Sequence, residues 1–338
     1  MRRITGAILF GLGILCLLFA MALTWIIVPS QRKVPLDLVP PDVVVEAANA
    51  SFVQIQTNAQ GAPQAVVATA GLSSTTGIKP DFDAAAELDG DTLVWNVYHS
   101  TNRTDTGDMI NSAESRVALD RVSGEAVPWA GQCHTETTAP CTPGDIAFAG
   151  QLYLFPFGTE KRTYQYWDSA LRRALPIQYQ AEEEFNGLPA YRFQQQVPEQ
   201  QAEMDEQSLA GLLAFLAPGA SSGAVSYRAT RTLWVEPMTG AIIGYREQQH
   251  RELVPVVGER VVIFDADLQY DQRTLEAVGD QAANGRDQLR MLGMYVPIGL
   301  AVLGLVLIAL GVWLSGVPGP RGGHRAPEVT RPQPTPVP

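Results

Sequence analysis

The sequence predicts a membrane protein with two transmembrane α-helices and a large β-rich extracytoplasmic domain, an antiparallel meander of α+β character. Three observations carry that expectation. Two stretches without Asp, Glu, Lys, Arg or His, Ile4 to Val28 and Met291 to Leu314, are each long enough to cross a bilayer, since 25 helical residues rise roughly 37 Å. Between them the dominant hydrophobic period is two, punctuated by Gly, Pro, Asn and Asp. Cys133 and Cys141, the only cysteines between the apolar stretches, lie eight positions apart in a polar loop. A disulfide there removes about 2.5 kcal/mol of chain entropy from the unfolded state and needs an oxidising compartment.

The expected organisation is a cytoplasmic N-terminus and first span over 1–28, the β-rich domain over 29–290, a second span over 291–315, and a disordered, Pro-rich cytoplasmic tail over 316–338. Arg2 and Arg3 before the first span, with Arg321, Arg325 and Arg331 beyond the second, place both termini in the cytoplasm and the chain in the cell membrane by the positive-inside rule. Ala20-Met21-Ala22 resembles a signal-peptide cleavage site, but apolar residues continue through Trp25 to Val28, which favours an uncleaved anchor. The region between the spans carries 19 bases against 34 acids, a formal charge of −15, so no nucleic-acid partner is expected.

Within the domain, Val43 to Gln56, Gln64 to Gly71, Thr92 to His99, Ser115 to Leu119 and Gln151 to Phe157 read as strands. Ile177 to Phe185 and Leu188 to Val197 flank Asn186-Gly187, a hairpin signal, and Pro189 suggests that the second of these strands lies at a sheet edge. A nine-residue pattern occurs at Leu119 to Val127 and again at Val235 to Ile243: an acid, two linking residues, Ser or Thr, then Gly. The acid can accept backbone N–H bonds while the glycine supplies a positive φ, so both read as tight turns. Glu199 to Leu216 reads as a helix with acids early and leucines late, and Asp271 to Arg290 as a second helix leading into the second apolar stretch.

Catalytic constellations do not emerge. Gly219-Ala220-Ser221-Ser222-Gly223 matches the spacing of a nucleophile elbow, but a helix rather than a strand precedes it, so it reads as a loop. His99, His134 and His250 lack the spacing of a metal motif; a site of Cys133, His134 and Cys141 would want a fourth ligand, and the disulfide is the better reading. No catalytic residue, metal or cofactor is expected. The aromatic segment with Tyr164, Tyr166 and Trp167, and the late leucines Leu212 and Leu213, are the candidate contacts for a ligand or partner, with sheet core as the alternative for the aromatics.

Glu160 to Asp168, Thr232 to Gly240, Ala118 to Arg121 with Ser123-Gly124, and Asn186 to Phe193, flanked by the two apolar stretches, make the chain resemble a mainly actinobacterial envelope family catalogued as a domain of unknown function and also labelled the porin PorA family. The resemblance implies a two-span envelope protein with an extracytoplasmic β-rich domain and supplies no catalytic residues. With the crossing assigned to two helices, the expected function is a non-enzymatic membrane protein whose domain binds or organises an envelope lipid, glycan or partner protein. The alternatives are a channel or porin-like subunit, as the family label suggests, and an envelope hydrolase.

Overall fold

The computed structural model describes residues 2–58, 60–136 and 140–316. The chain forms two compact units, one from Ser30–Arg290 and one from the two ends outside it. The expected tail lies beyond residue 316, outside the described residues.

Among the described residues of the larger unit, thirteen strands form one sheet: β1 (Val43–Thr57), β2 (Pro63–Pro80), β3 (Thr92–Arg103), β4 (Met109–Asp120), β5 (Glu125–Ala126), β6 (Cys133–Thr135), β7 (Gly150–Gln151), β8 (Tyr164–Asp168), β9 (Arg173–Phe185), β10 (Leu188–Gln201), β11 (Gly223–Val235), β12 (Ile242–Pro255) and β13 (Val261–Tyr270). Neighbours in sequence are mostly neighbours in the sheet, and the first and last strands then pair, Val45 opposite Tyr270 and Phe52 opposite Phe264. Twelve strands thereby close into a β-barrel, antiparallel except between β7 and β8, with β6 attached beside β4. This corrects the expected fold class. The protein is a closed β-barrel with flanking helices, not a two-span helical protein carrying an open meander. Local alternation is the same in both architectures, and only the β1–β13 pairing distinguishes them.

Alternation decides which side chains enter the barrel. On β11 the buried positions are Val225, Tyr227, Ala229, Arg231, Leu233 and Val235. The Asn186-Gly187 hairpin forms with φ of 48° and 78°, as a primed turn requires. Its second strand, β10, is paired on both sides, so the edge expected from Pro189 is corrected. The proline is tolerated because the ladder to β11 begins only at Tyr191.

Both acid-to-glycine patterns form the same turn. Asp120 accepts from the Val122 and Ser123 N–H groups at 3.1 and 2.6 Å, and Glu236 from Met238 and Thr239 at 3.1 and 2.8 Å. Gly124 and Gly240 close them at φ 70° and 74°. The expected strand Gln151 to Phe157 is corrected: only Gly150–Gln151 is strand, and the rest is a strap described below.

Among the described residues this unit includes the helices α3 (Phe82–Ala86), α4 (Glu206–Leu216) and α5 (Gln272–Arg290). Helix α4 begins later than Glu199 because β10 continues to Gln201 and Asp205 supplies the N-cap, accepting from the Ser208 N–H at 2.8 Å. Helix α5 is capped by Asp271 and packs Val278 and Ala282 on Leu188, Ala190 and Ile243.

The smaller unit contains α1 (Arg2–Ala22) and α6 (Val296–Ser315), with π-helical turns at Leu23–Ile27 and Met291–Tyr295, and the short α2 (Val28–Gln31) spans the boundary at Pro29 and Ser30. Glycines let α1 and α6 approach closely: a Cβ on Gly13 would lie 2.6 Å from the Gly304 carbonyl oxygen, and one on Gly6 2.8 Å from that of Gly311. Among the described residues, two helical stretches are long and apolar enough to cross a membrane by length and composition.

Candidate functional site: the barrel interior and its two ends

Midway along the barrel, cross-strand pairing sets Gln195, Arg231 and Glu247 side by side on β10, β11 and β12, all facing inward. The Arg231 guanidinium donates to Glu247 at 2.6 Å and to the Gln195 carbonyl, lies 3.6 Å from Asp168 at the end of β8, and sits over the Tyr166 ring. Asp168, fully buried, also accepts from the Tyr227 hydroxyl at 2.8 Å and the Leu171 N–H at 3.0 Å, while Tyr245 donates to Glu247. Two carboxylates thus face one guanidinium, and each acid is further satisfied by hydroxyl or backbone donors. Burial of this kind stabilises only when every partner is present. The cluster was not anticipated, although an Arg at a position whose neighbours two apart are Ala229 and Leu233 is a signal once the strand's parity is known.

At one end of the barrel residues 152–158 run between the two acid-containing turns. Phe155 donates to the Gly240 carbonyl at 2.9 Å, Gly158 to that of Met238 at 3.2 Å and Phe157 to that of Val122 at 3.3 Å. The strap's Phe155 lies in a ring cluster with Tyr164, Tyr166 and Phe193. A Cβ on Gly240 would collide with the Phe155 carbonyl oxygen, so the turn's glycine serves this approach as well as its own φ.

The opposite end carries α4. Its Leu213 is buried with Val225, Tyr227 and Leu253, and Leu209, Leu212 and Leu216 pack on the same cluster, which also takes in Val53 and Val261. The helix therefore reaches from β11 and β12 across to β1 and β2. Among the described residues, no hydrogen bond joins 206–217 to a strand. Asp205 keeps its carboxyl below the usual range because its oxygen accepts from Ser208.

The candidate contacts divide accordingly. Tyr164, Tyr166 and Trp167 are buried on β8, with the Tyr166 hydroxyl donating to the Leu152 carbonyl at 2.8 Å; Leu212 and Leu213 lie on α4. Cys133 and Cys141 are bonded, with Cα atoms 5.5 Å apart. His99 faces inward on β3, bonded to Ser74 and Thr76 at 3.1 and 3.0 Å. His250 faces outward on β12, against Asp265 at 2.6 Å. The wall separates these two histidines. His134 bonds Ser115 at 2.8 Å, and Ser221 lies in the link after α4.

The outward face of β12 and β13 is charged. Arg246 pairs with Asp267 at 2.6 Å, and a groove of about 370 Å³ there is lined by Arg228, His250, Asp265 and Asp267. Along these strands the outward face is therefore polar around that groove.

A family model described as Porin PorA matches residues 5–313. Two relatives, both named Porin PorA, are 26% identical (Corynebacterium resistens, 93% of this chain and 97% of the relative) and 23% identical (Corynebacterium amycolatum, 92% and 98%). Together with the closed barrel, this match overturns two expectations. A protein that binds or organises an envelope component gives way to the channel alternative, and a cell-membrane location with two helical spans and cytoplasmic termini gives way to the outer membrane. Matched over nearly its whole length, the chain belongs to the Porin PorA family.

Proposed function

We propose that this protein is a non-enzymatic, channel-forming protein of the outer membrane, and that solutes pass through the interior of the barrel. The observation that carries the reading is closure of the strand ring by β1 and β13 in a chain of the Porin PorA family. Closed barrels satisfy their backbone groups internally and enclose a route that an open sheet does not. The inward row at Gln195, Arg231 and Glu247 gives that route a polar, charged middle. Tyr166 lies over Arg231 there, and the finer assignment of Tyr164, Tyr166, Trp167, Leu212 and Leu213 is as contacts along the route, for a passing solute or an envelope component at its ends.

Purified protein in a planar bilayer tests the reading. Discrete conductance steps are expected. Gln249→Trp, on the inward face of β12, should lower the step size, whereas Gln248→Trp, its outward neighbour, should leave it unchanged. A folded, inserted protein that gives no steps, or equal effects of the two tryptophans, would overturn conduction through the interior.

A further inference from the structure

We propose that the barrel interior holds a binding site for an organic carboxylate, built on the guanidinium of Arg251. The site goes beyond the channel reading and does not depend on it. It lies on the α4 side of the Arg231 row, where Gln249 stands between Glu247 and Arg251 on the inward face of β12. Register sets its surroundings: Arg251 is opposite Tyr227 on β11 and Phe264 on β13, so its side chain rises between two inward-facing aromatic residues. The guanidinium carbon lies 5.5 Å from the Tyr227 ring centre and 6.0 Å from that of Phe264. Tyr227 is fixed in turn through its hydroxyl, which donates to Asp168 at 2.8 Å. Rings placed in this way hold the cation and displace part of its water without neutralising it.

One edge of the guanidinium is already used. The Gln249 side-chain oxygen, with the amide oriented to meet donors, accepts from Nε and Nη2 at 2.8 and 2.6 Å. Among the described residues no carboxylate pairs with Arg251 and no other group accepts from it, which leaves the edge formed by Nη1 and Nη2 open. The acids within reach are engaged elsewhere: Asp168 and Glu247 with Arg231, and Glu136 with His134 at 3.3 Å. A half-buried cation without a contact anion is a costly arrangement that a bound anion relieves. The open edge presents two parallel N–H donors, which match the two oxygens of a carboxylate. The flanking rings favour an acid with an apolar body over a bare, strongly hydrated ion. Solvent reaches this half of the interior beside β3 and β4, where Asn111, facing inward opposite Thr101, is exposed, and Gln249, Arg251 and His99 each keep part of their surface.

Calorimetric titration of the full-length protein in detergent with benzoate tests the site. Saturable binding to one site is expected, with benzamide, which has the same shape and no charge, roughly tenfold weaker or more. Arg251→Lys, which keeps the charge but loses the paired donors, should weaken benzoate by a similar factor. Gln249→Glu, which still accepts from Nε and Nη2 but supplies the missing negative charge, should do the same, whereas Arg228→Met on the outward face should leave binding unchanged. The benzamide comparison needs no variant and holds whether or not the substituted proteins fold. Absence of saturable binding, equal binding of benzamide, or benzoate affinity that survives both Arg251→Lys and Gln249→Glu would overturn the proposal. Inorganic phosphate that displaces benzoate at equal or lower concentration would overturn the carboxylate assignment. None of these readouts uses conductance, so their failure is distinct from failure of the channel reading.

Discussion

Around most of the barrel the wall is a long ladder, whereas between β4 and β8 it narrows to almost nothing. β11 and β12 pair from Gly223 opposite Pro255 to Val235 opposite Ile242. The narrow part consists of one pair between β4 and β5, two between β5 and β7, and a single parallel pair, Gln151 opposite Tyr166. What replaces the ladder there is close approach. Gly150, at φ 69°, brings the backbone so near β8 that a Cβ would lie 2.5 Å from the Gln165 carbonyl oxygen. Side chains add the rest: Gln151 donates to the Ser123 carbonyl at 2.6 Å and Tyr166 to that of Leu152. The seam also carries a cost, since the buried Gln151 Oε1 has no partner, while the wall's buried Arg231 cluster is fully bonded. A barrel can therefore be closed unevenly, with backbone ladder in one arc and steric fit in another.

The sharpest way to break the seam alone is Gly150→Val, which combines a β-branched residue at positive φ with a backbone collision and should cost about 3–6 kcal/mol. Gly107→Ala, at φ 77° in open space, should cost only about 1–2 kcal/mol. Equal losses in denaturant unfolding would show that close approach does not hold the seam. In the wall, Arg231→Met leaves Asp168 and Glu247 buried without their cation and should cost about 3–5 kcal/mol. The outward Arg246→Ala, which frees the exposed Asp267, should cost less than about 1 kcal/mol. Comparable losses would refute the inward–outward division.

β6 offers a smaller test, because it lies beside the ring rather than in it. Replacing Cys133 and Cys141 with Ser should lower stability by about 2.5 kcal/mol and speed exchange at Glu114 to Arg116, its partners on β4, while the β1–β13 amides stay protected. Loss of protection at β1–β13 would place β6 in the ring's support. The smallest expected effect concerns the cap of α4. Because the folded-state pKa of Asp205 is depressed, its contribution is present above the unfolded value near about 3.9 and is lost as pH falls through the folded pKa. Protection at residues 206–210, taken relative to the intrinsic exchange rate at each pH, should therefore fall below about pH 4 in the native chain. Asp205→Asn, which keeps the cap acceptor but does not titrate, should flatten that dependence, and an unchanged profile would assign it elsewhere.

The sequence disclosed the parts whose signal is local. Asn186-Gly187 and the two acid-to-glycine turns depend on residues within a few positions of each other, and they form as their chemistry requires. Long alternating runs revealed the strands of the wall, but β5 and β7 are two residues each, too short for any period to show. Tyr153, Phe155 and Phe157 alternate like a strand, yet their segment is held by turns rather than a ladder. Closure itself depends on β1 meeting β13 across most of the domain, and no local pattern encodes that meeting. The same distance hid the candidate site: Asp168, Arg231 and Glu247 come from three separate strands, and the seat of α4 comes from strands on both sides of the closure.

The pairing of β1 with β13 also sets a timetable. During synthesis β1 and β2 can zip as soon as both exist, but the other edge of β1 must wait for a partner made about 200 residues later, roughly 10–40 s at typical elongation rates. For that interval β1 is an exposed edge, the kind of surface on which nascent chains aggregate. Its sequence blunts the hazard: the β13 register breaks between Glu46 and Ser51, and Glu46 and Ser51 themselves are polar, so a stray strand meets an irregular, charged template. Residues 264–265 and 269–270 of β13 match either side of the break, so the irregularity that interrupts the ladder in the finished barrel also makes β1 a poorer template while the barrel is still unmade.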